Sequence, residues 1–110
     1  MNEYDVIAAL AALAQETRLR LFRLLVAAGP EGLPAGQIAD ELGAAESTLS
    51  FHLSHLRQAG LIQRRRDGRS LIYSADFATM TALLGFLTEN CCGGRPELCC
   101  PTGEGEMCDG

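Results

Sequence analysis

STLSFHLSHLRQAGLI (residues 47–62) runs directly into QRRRDGRSLIY (63–73). Over 46–59 the spacing of Leu49, Leu53 and Leu56 at i, i+4 and i+7 predicts a helix with one apolar stripe, and Gly60 supplies its stop. Projected at about 100° per residue, Ser47, Ser50, Ser54 and Gln58 fall on the side away from those leucines. Then 61–66 and 69–74 are two extended runs around Asp67-Gly68, a dipeptide favoured in two-residue hairpin turns. That hairpin carries Arg64, Arg65, Arg66 and Arg69.

Upstream, Pro34 suits the first position of a short helix whose Ile38, Ala39 and Leu42 repeat at helical spacing until Gly43, with Ala44 and Ala45 as the turn before residue 46. Before it, a helix is predicted with Thr17 as N-cap, Leu21, Phe22, Leu24, Leu25 and Val26 inward, and Gly29-Pro30 as its end. Arg18, Arg20 and Arg23 fall largely outside that stripe. A first amphipathic helix carries Tyr4, Val6, Ile7, Leu10 and Leu13 and ends near Ala14. Downstream, Asp76 can cap a last helix with a stripe of Met80, Leu83, Leu84 and Leu87, ending around Glu89 and Asn90. The fold class that follows is mainly α with a β-hairpin wing. Two helices joined by a tight turn, the second with a polar outer face, precede a basic hairpin, which makes a winged helix-turn-helix.

The net charge is −5, which by itself argues mildly against a nucleic-acid partner. Distribution matters more than the sum. Every basic residue is arginine, and residues 50–75 hold Arg57, Arg64, Arg65, Arg66 and Arg69 against the single acid Asp67. Arginine forks match phosphate oxygens, so a local basic ridge on an acidic body can still release counterions from a duplex. Helix N-terminal hydroxyls are also where base and phosphate contacts concentrate. The candidate DNA-contacting residues are therefore Ser47, Thr48, Ser50, His52, Ser54, Arg57, Arg64, Arg65, Arg66 and Arg69. For His52, beside the leucine stripe, a buried imidazole and a phosphate contact are equally compatible with the spacing. Phe51 can touch a thymine methyl or pack beneath the wing, and spacing does not choose between them.

No apolar run is long enough to span a bilayer, and the opening MNEYDVIAAL carries acids where a secretory leader carries basic residues. A cytoplasmic protein without a membrane partner is the expectation. All five cysteines, Cys91, Cys92, Cys99, Cys100 and Cys108, lie in the last twenty residues. A core built from a thiol-free stretch needs no disulfide framework, so these side chains are assigned to chemistry. Adjacent thiols among Gly93, Gly94, Pro96, Pro101 and Gly103 look like soft donors for a thiophilic ion. The domain reading is thus a DNA-binding and dimerisation domain over 1–90 and a sensing tail over 91–110.

The two quoted stretches, together with ALAQETRLRLFRLL (12–25), resemble the winged-helix repressors of the arsenic- and metal-responsive ArsR/SmtB family over roughly residues 5–90. That resemblance implies a homodimer on a near-palindromic operator in double-stranded DNA, released when a thiophilic or transition metal binds. It makes 46–59 the recognition helix and 63–73 the wing, and it pairs the first and last helices of two subunits, giving the stripes of 4–13 and 80–87 somewhere to be buried. Half-sites one helical turn apart follow from the symmetry.

Two of the family's sensing sites are missing from this chain. The third helix reads IADELG with no thiol, and the last helix has no histidine, leaving only Asp76 of a zinc site. LTENCC resembles a minority of arsenic repressors that place two adjacent cysteines and one downstream thiol after the last helix. The resemblance implies Cys91, Cys92 and Cys99 as ligands, with Cys100 an alternative third, for As(III) or Sb(III) as inducer. Trivalent arsenic exchanges its hydroxyls for thiolates in a three-sulfur pyramid, whereas zinc prefers four ligands. A redox trigger or a zinc or cadmium trigger on the same fold is the alternative. A thiol-dependent arsenic enzyme is more distant, because the thiols follow a helix C-terminus and no Gly-rich anion loop precedes them. No catalysis is expected.

Overall fold

The computed structural model describes residues 1–89, which form five helices and a three-stranded sheet. The proposed boundary at 90/91 and the five cysteines lie outside the described residues. Helix α1 (Glu3–Leu13) opens with a capping box, in which the Asn2 side chain accepts from the Asp5 amide and the Asp5 carboxylate accepts from the Asn2 amide. Helix α2 (Glu16–Ala28) starts earlier than expected. Its N-cap is Gln15, not Thr17, because the longer amide side chain reaches forward to accept from the Arg18 N–H at 2.9 Å.

Strand β1 (Leu33–Pro34) was not foreseen, since two residues are too few to show a period. Pro34 is consequently the N-cap of α3 (Ala35–Leu42) and not its first helical residue. Between α2 and β1 the chain crosses the back of a strand so closely that a Cβ on Gly32 would collide with the Tyr73 carbonyl oxygen. With φ at +73° as well, the position excludes other side chains on two counts.

Helix α4 (Glu46–Gln58) ends with Gly60 N–H donating to the Arg57 carbonyl and Leu61 N–H to the Leu56 carbonyl, the paired bonds of a Schellman cap. Strands β2 (Ile62–Asp67) and β3 (Ser70–Ala75) are antiparallel, and the sheet order is β1-β3-β2. The loop between them is Gly68-Arg69, one residue later than Asp67-Gly68, so that Asp67 faces Ser70 in the last rung. An Asp67-Gly68 loop would set Arg66 directly opposite Arg69, a repulsive pairing. The observed register puts Leu71 there instead, and Gly68 takes the positive φ at the first loop position. Asp76 caps α5 (Phe77–Thr88) as expected, its Oδ1 accepting from the Thr79 amide at 3.0 Å.

One core joins these elements. Val6, Ala9 and Ala12 from α1 meet Leu21, Phe22 and Leu25 from α2, Ile38 from α3 and Leu49, Leu53 and Leu56 from α4, closed by Leu61, Ile62, Tyr73, Ala75 and Leu83. Each fully buried leucine contributes roughly 2 kcal/mol, so α4 is anchored by its leucine stripe and its opposite face is free to work.

Two apolar faces remain outside this core. Tyr4 is 83% exposed and Ile7 57% on α1, and Leu84 is 54% exposed beside Leu87 on α5. The expected stripes are therefore split: Val6 and Leu83 turn into the subunit, and these neighbours turn outward. No helix among the described residues is long and apolar enough to cross a membrane.

Candidate nucleic-acid interface

Helix α4 presents its polar side outward as its sequence dictates. Ser47, Thr48, Ser50, Ser54 and Arg57 are exposed, and Ala45 at the N-cap has no side-chain acceptor for the first-turn amides. The wing extends the same surface. Arg64, Arg65, Arg66 and Arg69 are all exposed, but β2 divides them. Cross-strand partners share a face, so Arg64 and Arg66 lie on the side of Tyr73 and Leu71, and Arg65 lies on the side of Ile72. Arg64 meets α4 across an open cleft lined also by Ser54, Arg57, Gln58 and Gln63. Arg65 instead donates from Nη2 to the Glu31 carbonyl at 2.9 Å, which ties the wing to the loop after α2.

His52 departs from this surface. Of the two places its spacing allows, the buried one is found: although a candidate DNA contact, it is only 7% exposed and points into the subunit, where Arg18 Nη1 lies 3.2 Å from its Nδ1. A guanidinium can only donate, so Nδ1 is the acceptor and the ring proton sits on Nε2. Arg18 also departs from its expected place outside the buried stripe. It is half-buried, and its Nε donates to the Ala12 carbonyl at 2.6 Å, so one guanidinium links the end of α1 to the back of α4.

Burial, then the Arg18 charge and then His55, hold the His52 imidazole below its ordinary value of 6.5. The unfolded chain therefore binds this proton first as pH falls, and stability drops with pH below about 6.5, the ordinary histidine value, and on down to the folded value. Urea midpoints measured from pH 7.5 down to about 5.5 should decline in the natural chain. His52→Gln, which keeps a neutral acceptor for Arg18, should flatten that decline; an unchanged slope would remove His52 as its source.

Phe51 is the residue that sequence reasoning left undecided. It is 58% exposed on the outer face of α4, edge-on to His55 at 4.9 Å and to His52 at 5.4 Å. The signal was present in the helical projection, which at about 100° per residue sets it on the side of Ser47 and away from the leucine stripe.

Among the described residues no group of three or more His, Cys, Asp or Glu side chains could hold a metal ion. Asp76 spends its carboxylate on the α5 cap. The assigned ligands Cys91, Cys92, Cys99 and Cys100 lie outside the described residues.

A helix-turn-helix domain family model matches residues 13–65. The nodulation protein NolR of Rhizobium meliloti is 35% identical over 80 residues, covering 73% of this chain and 63% of that protein. An HTH-type transcriptional regulator of Bacillus subtilis, YceK, is 38% identical over 77 residues, covering 69% of this chain and 76% of that one. A putative arsenical resistance operon repressor, ArsR, of Halobacterium salinarum is 43% identical over 60 residues, covering 54% and 46%. Among solved structures, an ArsR-like transcriptional regulator from Rhodococcus sp. superposes with a TM-score of 0.68 at 26% identity, over 76% of each chain. The homodimeric winged helix-turn-helix DNA-binding domain of a possible ArsR-family regulator from Mycobacterium bovis does so at 0.62 and 29% identity, over 83% of this chain and 84% of that one. The B. subtilis, Rhodococcus and M. bovis proteins are named as transcriptional regulators, and the H. salinarum protein as a repressor. With its two-helix reading head, its arginine wing and these kin, the chain belongs to the ArsR/SmtB family of DNA-binding winged helix-turn-helix transcriptional regulators.

Proposed function

We propose that this regulator is a cytoplasmic, homodimeric repressor that leaves its operator when arsenite or antimonite is captured by Cys91, Cys92 and Cys99, with Cys100 as the alternative third sulfur. The observation that carries the proposal is the pair of adjacent thiols that begins two residues after the Glu89 cap of α5. Three thiols displacing the three hydroxyls of arsenous acid release three waters and leave a neutral three-sulfur arsenic, with no oxidant or reductant required. Likeness to a putative arsenical resistance operon repressor supports the same trigger.

Dimerisation would rest on α1 and α5, two helices that touch one another within the subunit and leave Tyr4, Ile7, Leu84 and Leu87 exposed on their outward faces. A second copy would bury them, and the M. bovis neighbour is itself homodimeric. The thiols then follow directly on a dimer helix, where their closure on an ion can alter how two α4 helices are spaced. A hundredfold weakening of operator binding needs only about 2.7 kcal/mol of coupling.

The test is operator release measured with arsenite, zinc and peroxide on single cysteine-to-serine variants. Cys91→Ser and Cys92→Ser should hold operator affinity within about twofold and abolish release by arsenite, a loss of about a hundredfold response. One of Cys99→Ser and Cys100→Ser should do the same, and that identifies the third ligand. Release by peroxide alone would assign a redox trigger, and release by zinc alone a metal one.

A further inference from the structure

Phe51 is at odds with its surroundings. Around it on the outward side of α4 are Ser47, Ser50 and Ser54, all exposed and all able to hydrogen-bond, and beyond them Arg57 and the wing arginines. A phenyl ring stands 58% exposed at the middle of that surface. It is distant in kind from the apolar α1 and α5 faces, because its setting is basic and hydroxylic. The ring is also braced: it stands edge-on to His55, at 63° between ring planes, and to His52 at 61°. His52 is buried and held by Arg18. A braced apolar knob in a basic surface fits a partner that is polyanionic at its rim and carries an isolated apolar group within.

A duplex major groove offers one such group, the 5-methyl of thymine. We infer that Phe51 is a specificity-determining residue that seats its ring on a thymine methyl in each operator half-site. This rests on the reading that α4 enters the major groove. A phenyl ring has no donor or acceptor for base edges, so its discrimination comes from the methyl alone. The neighbouring hydroxyls supply hydrogen bonds to adjacent edges or phosphates.

The test uses the full chain and an operator obtained by its own selection from random duplexes. Each thymine of the selected site is replaced singly by deoxyuridine, which deletes the methyl and leaves the hydrogen-bonding edge unchanged. One position per half-site should lose roughly fourfold in affinity, the worth of about one buried methyl, and the two together on the order of fifteenfold. Phe51→Ala should bind the thymine operator weaker by a similar factor and become indifferent to that replacement. Phe51→Leu, which keeps an apolar tip, should retain part of the sensitivity. The inference is overturned if every deoxyuridine replacement is neutral in the natural chain, or if Phe51→Ala responds to the replacement as the natural chain does. Failure to select any operator would instead remove the DNA reading itself, and the inference with it.

Discussion

A chain carrying Ile7→Asp together with Leu84→Asp is expected to be monomeric at micromolar concentration and to bind a full operator at least about a hundredfold more weakly than the natural chain. Both side chains are more than half exposed in the subunit, so a carboxylate at either position leaves the core of Leu21, Leu25, Leu49 and Leu56 in place. Surface changes of this kind cost a folded subunit within about 0.5 kcal/mol. Against a second copy the same carboxylates would be forced into an apolar seam without partners, where burial of an unpaired charge is strongly unfavourable. The loss in DNA binding is large because the first half-site delivers the second reading head at an effective concentration of about millimolar, and a monomer forfeits that gain. Light scattering reads the mass, anisotropy of a labelled operator reads the affinity, and far-ultraviolet circular dichroism confirms the fold. A variant that remained dimeric would place the seam on another surface.

The order of elements was legible because each leaves a local mark: leucines at helical spacing in α4, a glycine where α4 stops, Asp76 where α5 starts. What was illegible depends on partners that belong to other elements. Arg18 looks like a solvated helix residue until the fold brings the Ala12 carbonyl and His52 to it from two other helices. His52 sits at the border of the leucine stripe, and only packing decided that it turns inward. The hairpin turn is displaced by one residue, a register that keeps Arg66 from standing opposite Arg69 and that shows only once the cross-strand pairs are written out.

The candidate interface was legible in outline and not in its division of labour. Arginine clustering between residues 57 and 69 marks a basic surface in the sequence itself. Strand alternation then sends Arg64 towards α4 and Arg65 to the Glu31 carbonyl, and the two do different work. The outward apolar faces were half legible: the stripes on α1 and α5 were apparent, but a helix that is apolar on most of its circumference does not announce which residues face its own core. Val6 and Leu83 turn inward, Ile7 and Leu84 outward.

Coupling between thiols and DNA is reciprocal by thermodynamic necessity, which gives the account its most direct test. If arsenite weakens operator binding by about a hundredfold, then the operator must weaken arsenite binding by the same factor, about 2.7 kcal/mol. Arsenite is titrated into the free dimer and into the dimer saturated with operator, with all five cysteines reduced. The account predicts a dissociation constant about a hundredfold higher on DNA, matching the loss of operator affinity measured with arsenite in excess. Equal arsenite affinity on and off the operator would contradict it.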